Sequence, residues 1–189
     1  PTVVRYEATY EKDRFNAEQI RLNSHTGTHT DAPFHFYPEG ETIDQMDVSL
    51  FQGDAVIVDL RGIIQAKQGI EVSHLEAYAD RIQPGSIVLF ATGWGAKRSF
   101  DQEYMYDWPY LTGSAADWLK ARKIKGVGID AMSMGGWYEG TGRPCHESLL
   151  AGGIWILEEI NIPDELVEIG QCYLMAFPIC LKGFSGAPV

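Results

Sequence analysis

The sequence predicts one domain of the mixed α/β class with an irregular sheet. A chain of 189 residues is long enough to bury a sizeable core as a single domain. Two apolar runs rich in β-branched residues, at 55–60 and 86–91, predict buried strands. An amphipathic segment at 113–122 predicts a helix between later strands. Strands come first and short helices are interleaved afterwards, and this order predicts neither a closed barrel nor a doubly wound sheet.

The first part of the chain divides at residue 20. Residues 1–19 are polar and mixed, which predicts an N-terminal loop or edge segment outside a domain over 20–189. Residues 20–24 alternate between apolar and polar side chains and predict a strand that leads into a histidine-rich segment. Residues 41–52 have the composition of a connecting loop with at most a short helix.

Local signals place the later elements. Ser73 and Glu76 have the spacing of a capping box, which predicts a helix from there to about residue 80. The remaining elements follow in order: a strand at 126–130, a helix at 147–151, a strand at 154–157, a helical turn at 164–168 and a strand at 173–179 that closes the core.

The net charge of −11 argues against nucleic acid and anionic membranes as partners, because phosphate contacts need clustered Lys and Arg. No apolar run approaches the roughly 18 residues that a membrane-spanning helix needs. The cysteines Cys145, Cys172 and Cys180 are odd in number and far apart. This usage predicts reduced thiols and a cytoplasmic location.

The segment at 24–35 holds three of the five histidines and one carboxylate. His25, His29, Asp31 and His35 occupy positions of the same parity, so an extended chain would turn all four to one side. Gly27 and the nearby Ser, Thr and Pro residues argue against a helix. Aligned nitrogen and oxygen donors predict a site for zinc, or for manganese if oxygen ligands dominate. The alternative is a turn-rich loop of satisfied polar residues.

A second cluster lies more than a hundred residues later. His146 is at the start of a predicted helix, and Glu158 leaves a buried strand. An unpaired buried carboxylate is costly, and a cation would remove that cost. On the residues alone, a surface ion pair explains the two side chains equally well.

Other residues are weaker candidates. Asp130 and Ser133 follow a strand end and could support a pocket, and Trp94 belongs to an aromatic loop that could form an apolar substrate pocket. Core packing or a dimer contact explains each aromatic residue equally well. Cys145 beside His146 could form a nucleophile–base pair, but adjacent residues rarely face each other.

The motif His-x-Gly-Thr-His-x-Asp-x-Pro-x-His at 25–35 resembles the signature of the cyclase-like metal-dependent hydrolases. This family includes bacterial kynurenine formamidase and isatin hydrolase. The spacing from His146 to Glu158 resembles the second ligand motif of the family. The resemblance extends from about residue 20 to the C-terminus, whereas the usual N-terminal strand with its Pro-Gly element is not recognisable.

The resemblance implies a swivelling β/β/α fold that forms a homodimer or a higher homo-oligomer. It implies two zinc ions in formamidase-type members, with Asp31 bridging them, and one ion in isatin-hydrolase-type members. Manganese is the alternative metal. His35 matches the position of the proton-transferring catalytic residue. The implied metal ligands are His25, His29, Asp31, His146 and Glu158.

The expected function is hydrolysis of a small amide through a metal-bound hydroxide. An aryl formamide such as N-formylkynurenine, an intermediate of tryptophan catabolism, is the expected substrate. An isatin-hydrolase-like lactam hydrolase, or a hydrolase of another small cyclic amide or ester, is the alternative within the family. A non-catalytic metal-binding protein and a thiol enzyme using Cys145 are alternatives from other classes.

Overall fold

A computed structural model describes residues 2–189 and contains one seven-stranded mixed sheet. These residues form eleven strands: β1 (Val3–Ala8), β2 (Ala17–Arg21), β3 (His29–Asp31), β4 (Gln52–Asp59), β5 (Gly69–Ile70), β6 (Ile87–Ala91), β7 (Tyr110–Leu111), β8 (Gly126–Ile129), β9 (Trp155–Glu158), β10 (Gln171–Met175) and β11 (Gly186–Pro188). They also form six α-helices: α1 (Tyr10–Asp13), α2 (Val72–Leu75), α3 (Gln102–Tyr106), α4 (Gly113–Ala121), α5 (Arg143–Ala151) and α6 (Asp164–Ile169).

The strand order of the main sheet is β10-β4-β6-β8-β9-β3-β11. Strands β4, β6, β8 and β9 run parallel to one another, and β10, β3 and β11 join antiparallel at the two sides. The prediction of a mixed α/β domain is therefore confirmed. Two small two-stranded sheets lie outside the main sheet: β1 and β2 pair antiparallel, and β5 and β7 pair parallel.

Both faces of the sheet are covered, and this explains the continuous apolar runs of its central strands. Val56 and Val58 of β4 belong to one core cluster, which includes the buried apolar residues of α4 and α5. Ala55 and Ile57 of the same strand belong to a second cluster on the opposite face. Successive side chains of a strand point to opposite faces, so β4, β6 and β9 each contribute to both clusters.

The helix predicted at 73–80 begins one residue earlier, at Val72, and its helical residues end at Tyr78. It is divided into α2 and a 3₁₀ turn at Glu76–Tyr78. The cap is not Ser73: the backbone N–H of Glu71 donates to His74 Nδ1 at 2.9 Å, and Glu71 is the N-cap residue.

The last predicted strand is also displaced. Strand β10 ends at Met175 and pairs only with β4 at the sheet edge, where Tyr173 and Met175 are exposed. The strand therefore ends four residues before its predicted end at 179, and Cys172 and Leu174 pack its inner face against the core, as predicted.

The N-terminal prediction placed a loop or edge segment at 1–19, of which Pro1 lies outside the described residues. Strands β1 and β2 pair here as an antiparallel hairpin with mostly exposed side chains. Strand β2 spans Ala17–Arg21, so it crosses the predicted boundary at residue 20 and ends before the expected strand at 20–24 would. No helix within residues 2–189 is long and apolar enough to cross a membrane.

Candidate metal centre

The pairing of β3 with β9 brings two carboxylates and an imidazole together. His29 lies directly opposite Glu158 in the antiparallel register, and Asp31 follows two residues later. Side chains two residues apart in a strand share a face, so all three groups point to the same side. Asp31 is fully buried, and His29 and Glu158 are nearly so. The distance from His29 Nε2 is 3.4 Å to Asp31 Oδ1 and 3.3 Å to Glu158 Oε2.

Helix α5 adds a second imidazole, because it packs on β9 and buries His146. His146 Nε2 lies 3.1 Å from Glu158 Oε1 and 3.7 Å from Asp31 Oδ2. The backbone fixes the orientation of both rings: His146 Nδ1 is 2.8 Å from the Gly142 carbonyl, and His29 Nδ1 is 2.8 Å from the Gly27 carbonyl. An Nδ1–H that donates to a carbonyl turns Nε2 toward the carboxylates, where it donates to them when protonated and can bind a metal ion when deprotonated.

His25 reaches the cluster through a turn, not through an extended strand. Gly27 has a φ of 66°, and regular strand begins only at His29. His25 Nδ1 lies 2.7 Å from Asp31 Oδ1, and its Nε2 lies 2.8 Å from Ser185 Oγ. The prediction that one extended segment would align four side chains is thus wrong in its geometry, although the side chains do meet.

His35 also arrives by a local turn, since it ends a 3₁₀ helix at Pro33–His35. The residue is exposed, but its ring stacks on His25 with centroids 4.2 Å apart and lies 6.1 Å from the His146 ring. This partial burial outweighs the charge of Asp31 and lowers the pKa of His35. A neutral imidazole at pH 7 can accept a proton.

The cluster keeps its carboxylates ionised. Burial works against charge, but hydrogen bonds to Asp31 and Glu158 raise the pKa of His29 to about 10. Burial and repulsion from Glu158 would raise the pKa of Asp31, yet hydrogen bonds from His25 and His29 hold it below its usual value. Despite its burial, the pKa of Glu158 lies well below its usual value because His146 and His29 bind it. The centre therefore gathers negative charge that cations must balance.

One atom of the cluster lacks a partner. Asp31 Oδ2 is buried and accepts no hydrogen bond in residues 2–189. Donor atoms form two groups that share Asp31, one with His25 and His29 and one with His146 and Glu158, each within 4.8 Å. Two ligands about 2.1 Å from one tetrahedral ion lie roughly 3.4 Å apart, close to the measured separations around His29. The donor set therefore fits a divalent metal ion, and its two groups fit two.

The predicted supporting residues lie in different places. Ser133 Oγ donates to Glu158 Oε1 at 2.9 Å, beside the Met134 amide, which donates to the same oxygen at 2.7 Å. Asp130 does not face the cluster: it accepts hydrogen bonds from Thr92 and from the Gly93 amide after β6. Its role is to hold that turn.

Trp94 is buried and is not among the residues that line the cavity at the donor cluster. Its Nε1 donates to the Tyr104 carbonyl at 3.2 Å, and its ring stacks on Tyr104 with centroids 6.5 Å apart. Cys145 is fully buried, and its Sγ lies 3.7 Å from the Gly142 carbonyl. The structure thus offers no accessible thiol at position 145.

The donor groups open into a cavity of about 470 Å³. His29, His35, His146 and Glu158 line it, together with the apolar side chain of Phe36. Phe36 stacks on His146 with ring centroids 5.0 Å apart. The cavity therefore presents the donors and His35 to the same volume.

Sequence reasoning missed the residues that hold His25 from behind. Ser185 binds its Nε2, and Gly186 leaves room for the ring, because a Cβ there would lie 2.7 Å from His25 Cε1. Neither residue belongs to a recognisable pattern. Both act through the pairing of β11 with β3, which only the tertiary structure reveals.

Comparisons with known proteins show which family the chain is similar to. The family model described as "Putative cyclase" matches residues 2–135. Kynurenine formamidase of Bacillus thuringiensis (strain Al Hakam) is 30% identical over 192 residues, which covers 100% of this chain and 86% of that enzyme.

Two solved structures are similar as well. A potential metal-dependent hydrolase with cyclase activity has a TM-score of 0.78 and 30% identity, covering 98% of this chain and 83% of that one. Isatin hydrolase A from Labrenzia aggregata has a TM-score of 0.86 at 24% identity, covering 100% of this chain and 80% of that one. At that identity the second likeness shows the fold alone.

Proposed function

The chain belongs to the cyclase family of metal-dependent hydrolases, and on this premise we propose that it hydrolyses an aryl formamide of the N-formylkynurenine type. The observation that carries the proposal is the buried cluster of three imidazoles and two carboxylates with His35 beside it. A relative named kynurenine formamidase, aligned along the whole chain, supports the substrate class. The non-catalytic alternative has no such support.

We assign the metal ligands from the same cluster. Asp31 belongs to both donor groups, and its buried Oδ2, which accepts no hydrogen bond, would be available to a metal ion. Imidazole nitrogen with carboxylate oxygen suits zinc, and manganese remains the alternative metal. The five proposed ligands are His25, His29, Asp31, His146 and Glu158.

The bound metal supplies Lewis-acid chemistry, which lowers the pKa of water and stabilises negative charge on the amide oxygen. The protein supplies the rest. Asp31 and Glu158 stay ionised and fix the imidazoles, and the carbonyls of Gly27 and Gly142 hold two of these rings in one tautomer. His35 takes a proton from the attacking water and returns it to the departing aryl amine nitrogen, and formate leaves as the second product.

Turnover of N-formylkynurenine and of isatin, with zinc and with manganese, tests the substrate class. We expect hydrolysis of the formamide, loss of activity on chelation and recovery on adding metal. Hydrolysis of isatin alone would favour the lactam alternative. Activity that resists chelation would contradict the metal-dependent mechanism.

A His35→Ala variant tests the acid–base role. We expect it to bind metal normally and to lose about 10²- to 10⁴-fold in kcat, the usual contribution of a positioned acid–base group. His74 lies on α2, away from the cluster, so His74→Ala is the matched control. Full turnover by the His35 variant would overturn the assignment.

Ligand variants test the metal assignment separately. His29→Ala and Asp31→Ala should each lower the metal content measured by elemental analysis, because each removes a donor from the buried cluster. His74→Ala should keep the full content. Stoichiometric metal in the first two variants would show that the ligands are wrongly assigned.

We propose that the protein is a homodimer that uses the hairpin of β1 and β2. Val4 pairs directly with Ile20, and Tyr6 lies two residues further on the same face. Their exposed fractions are 57%, 60% and 70%. An isolated two-stranded hairpin is marginally stable, so an apolar face of this kind supports a second copy as its cover.

Light scattering after size exclusion tests the dimer. Ile20→Glu should give a monomer, whereas Val3→Glu, on the other face of β1, should not. A monomeric parent protein at micromolar concentration would contradict the proposal.

A cytoplasmic location is proposed from the free state of Cys145, Cys172 and Cys180, and cell fractionation tests it.

A further inference from the structure

We propose that the cavity beside the metal centre binds a zwitterionic α-amino acid group of the substrate. Arg98 would bind its carboxylate, and Glu159 its ammonium group. The inference rests on the proposed function and deepens it, because it names the part of the substrate that lies away from the amide being cleaved.

The second cavity adjoins the first. It has a volume of about 520 Å³, and both cavities have His25 and Met132 among their lining residues. Tyr104, Met105 and Met132 give this cavity largely apolar walls. A substrate with its amide at the metal centre can therefore extend along these walls, which suit an aromatic ring.

Arg98 and Glu159 line this cavity with opposite charges, but their side chains do not form an ion pair with each other. Arg98 Nη2 donates to the Glu159 carbonyl at 2.9 Å, and its Nε lies 3.4 Å from the Tyr104 hydroxyl, so both acceptors are neutral. Tyr104 in turn donates to Glu159 Oε1 at 3.3 Å. None of the ion pairs within residues 2–189 includes Arg98 or Glu159. The free edge of the guanidinium and the second carboxylate oxygen remain for a ligand.

The backbone sets the direction of Glu159. Its φ of 53° is unusual for a residue other than glycine, and it ends the extended backbone of β9 directly after Glu158. Thr28 Oγ1 donates to the Glu159 carbonyl at 2.8 Å, on the same oxygen that Arg98 binds. Two consecutive carboxylates thus serve adjacent cavities, Glu158 the metal centre and Glu159 the second one. Backbone conformations of this kind concentrate at functional sites.

Two substrates separate recognition from a structural role of Arg98. One is N-formylkynurenine, and the other is 2′-formamidoacetophenone, which has the same aryl formamide but no amino acid group. We expect the parent protein to prefer the first by about 10- to 100-fold in kcat/KM, mainly through KM, as charged hydrogen bonds suggest. Arg98→Met should remove most of this preference and leave turnover of the short substrate nearly unchanged.

Glu159→Gln needs its own comparison. The desamino analogue of N-formylkynurenine keeps the carboxylate and lacks the ammonium group. The Glu159 variant should have a lower kcat/KM than the parent protein on N-formylkynurenine and the same kcat/KM as the parent protein on the desamino analogue. Lys97→Met is the matched control, because Lys97 pairs with Glu103 at 2.8 Å and lies outside the lining of the cavity.

Inhibition of the parent protein gives a test that needs no variant. Kynurenine should inhibit at least tenfold more strongly than 2′-aminoacetophenone, the corresponding product without an amino acid group. Equal inhibition, or an Arg98 variant that slows both substrates equally, would overturn the inference and leave the proposed function intact. Failure of the parent protein to hydrolyse either formamide would instead overturn the proposed function.

Discussion

Among single residues, Ser133 lies outside the proposed ligand set but binds one of its members. Its hydroxyl fixes the oxygen of Glu158 that also faces His146. Partners of this kind are worth about 10- to 100-fold in metal affinity. We therefore expect Ser133→Ala to weaken zinc binding by at least tenfold, measured by competition with a chromophoric chelator. Ser148→Ala is the control, since Ser148 binds Asp117 instead, and equal affinities of both variants would refute the role.

Gly186 matters for the space it leaves. A Cβ at this position would lie 2.7 Å from His25 Cε1 and 2.6 Å from the Thr30 carbonyl. Gly186→Ala should therefore displace His25 or β11 and lower kcat/KM by about tenfold or more, as misplacement of a site group does. Gly152→Ala is the control, because a Cβ there would lie no closer than 3.1 Å to Lys120 and 3.2 Å to the Leu149 carbonyl, and φ is −85°. Unchanged kinetics in the Gly186 variant would show that His25 does not need this space.

At the scale of elements, α2 allows a direct comparison of two caps. The Glu71 N–H donates to His74 Nδ1, whereas Ser73 makes no capping bond. His74→Ala should lower the free energy of unfolding by about 0.5–1 kcal/mol, and Ser73→Ala by only a few tenths. Urea unfolding measures both. Equal losses would mean that the sequence motif at Ser73 is the real cap.

Elements whose own composition determines them could be predicted from the sequence. Strands β4 and β6 are apolar throughout because both faces of the sheet are covered, and α4 lies within one residue of its predicted range. Helix α5 begins at Arg143, four residues before the prediction, although Pro144 in its first turn is a start signal.

The candidate site was less predictable in its geometry. Spacing identified His25 and His35 as candidates, but turns, not a strand, bring them to Asp31. The turn at His25 is held by Ser185, a residue that no local pattern connects to it. Arg98 and Glu159 were not identified, because their proximity depends on how a long loop packs against the end of β9.

For the whole molecule, the charge of the centre predicts how stability depends on pH when the metal is removed. His29 has a pKa of about 10 in the folded metal-free protein, against 6.5 as its ordinary value. Its protonation therefore stabilises the fold fully below pH 6.5, and this stabilisation is lost as the pH rises toward 10. The urea midpoint of the chelated protein should fall over this range.

The zinc-loaded protein should lose less stability over the same range, because the metal takes the place of the proton. Metal-free His29→Gln is the control, and its midpoint should depend less on pH than that of the metal-free parent protein. The raised pKa of His146 acts in the same direction, so some dependence should remain. Parallel curves for the metal-free and zinc-loaded parent protein would contradict a cationic His29.

The contact between His25 and Ser185 joins residues 160 positions apart, and it determines when the centre can form. Contacts of such long sequence separation carry a large loop-closure entropy and form late in folding. Strand β3 has only three residues and depends on β9 and β11 for its hydrogen bonds. We therefore expect the proposed metal to bind tightly only after β3 has paired with β9 and β11, because an ion that binds earlier would meet only a part of its proposed ligands.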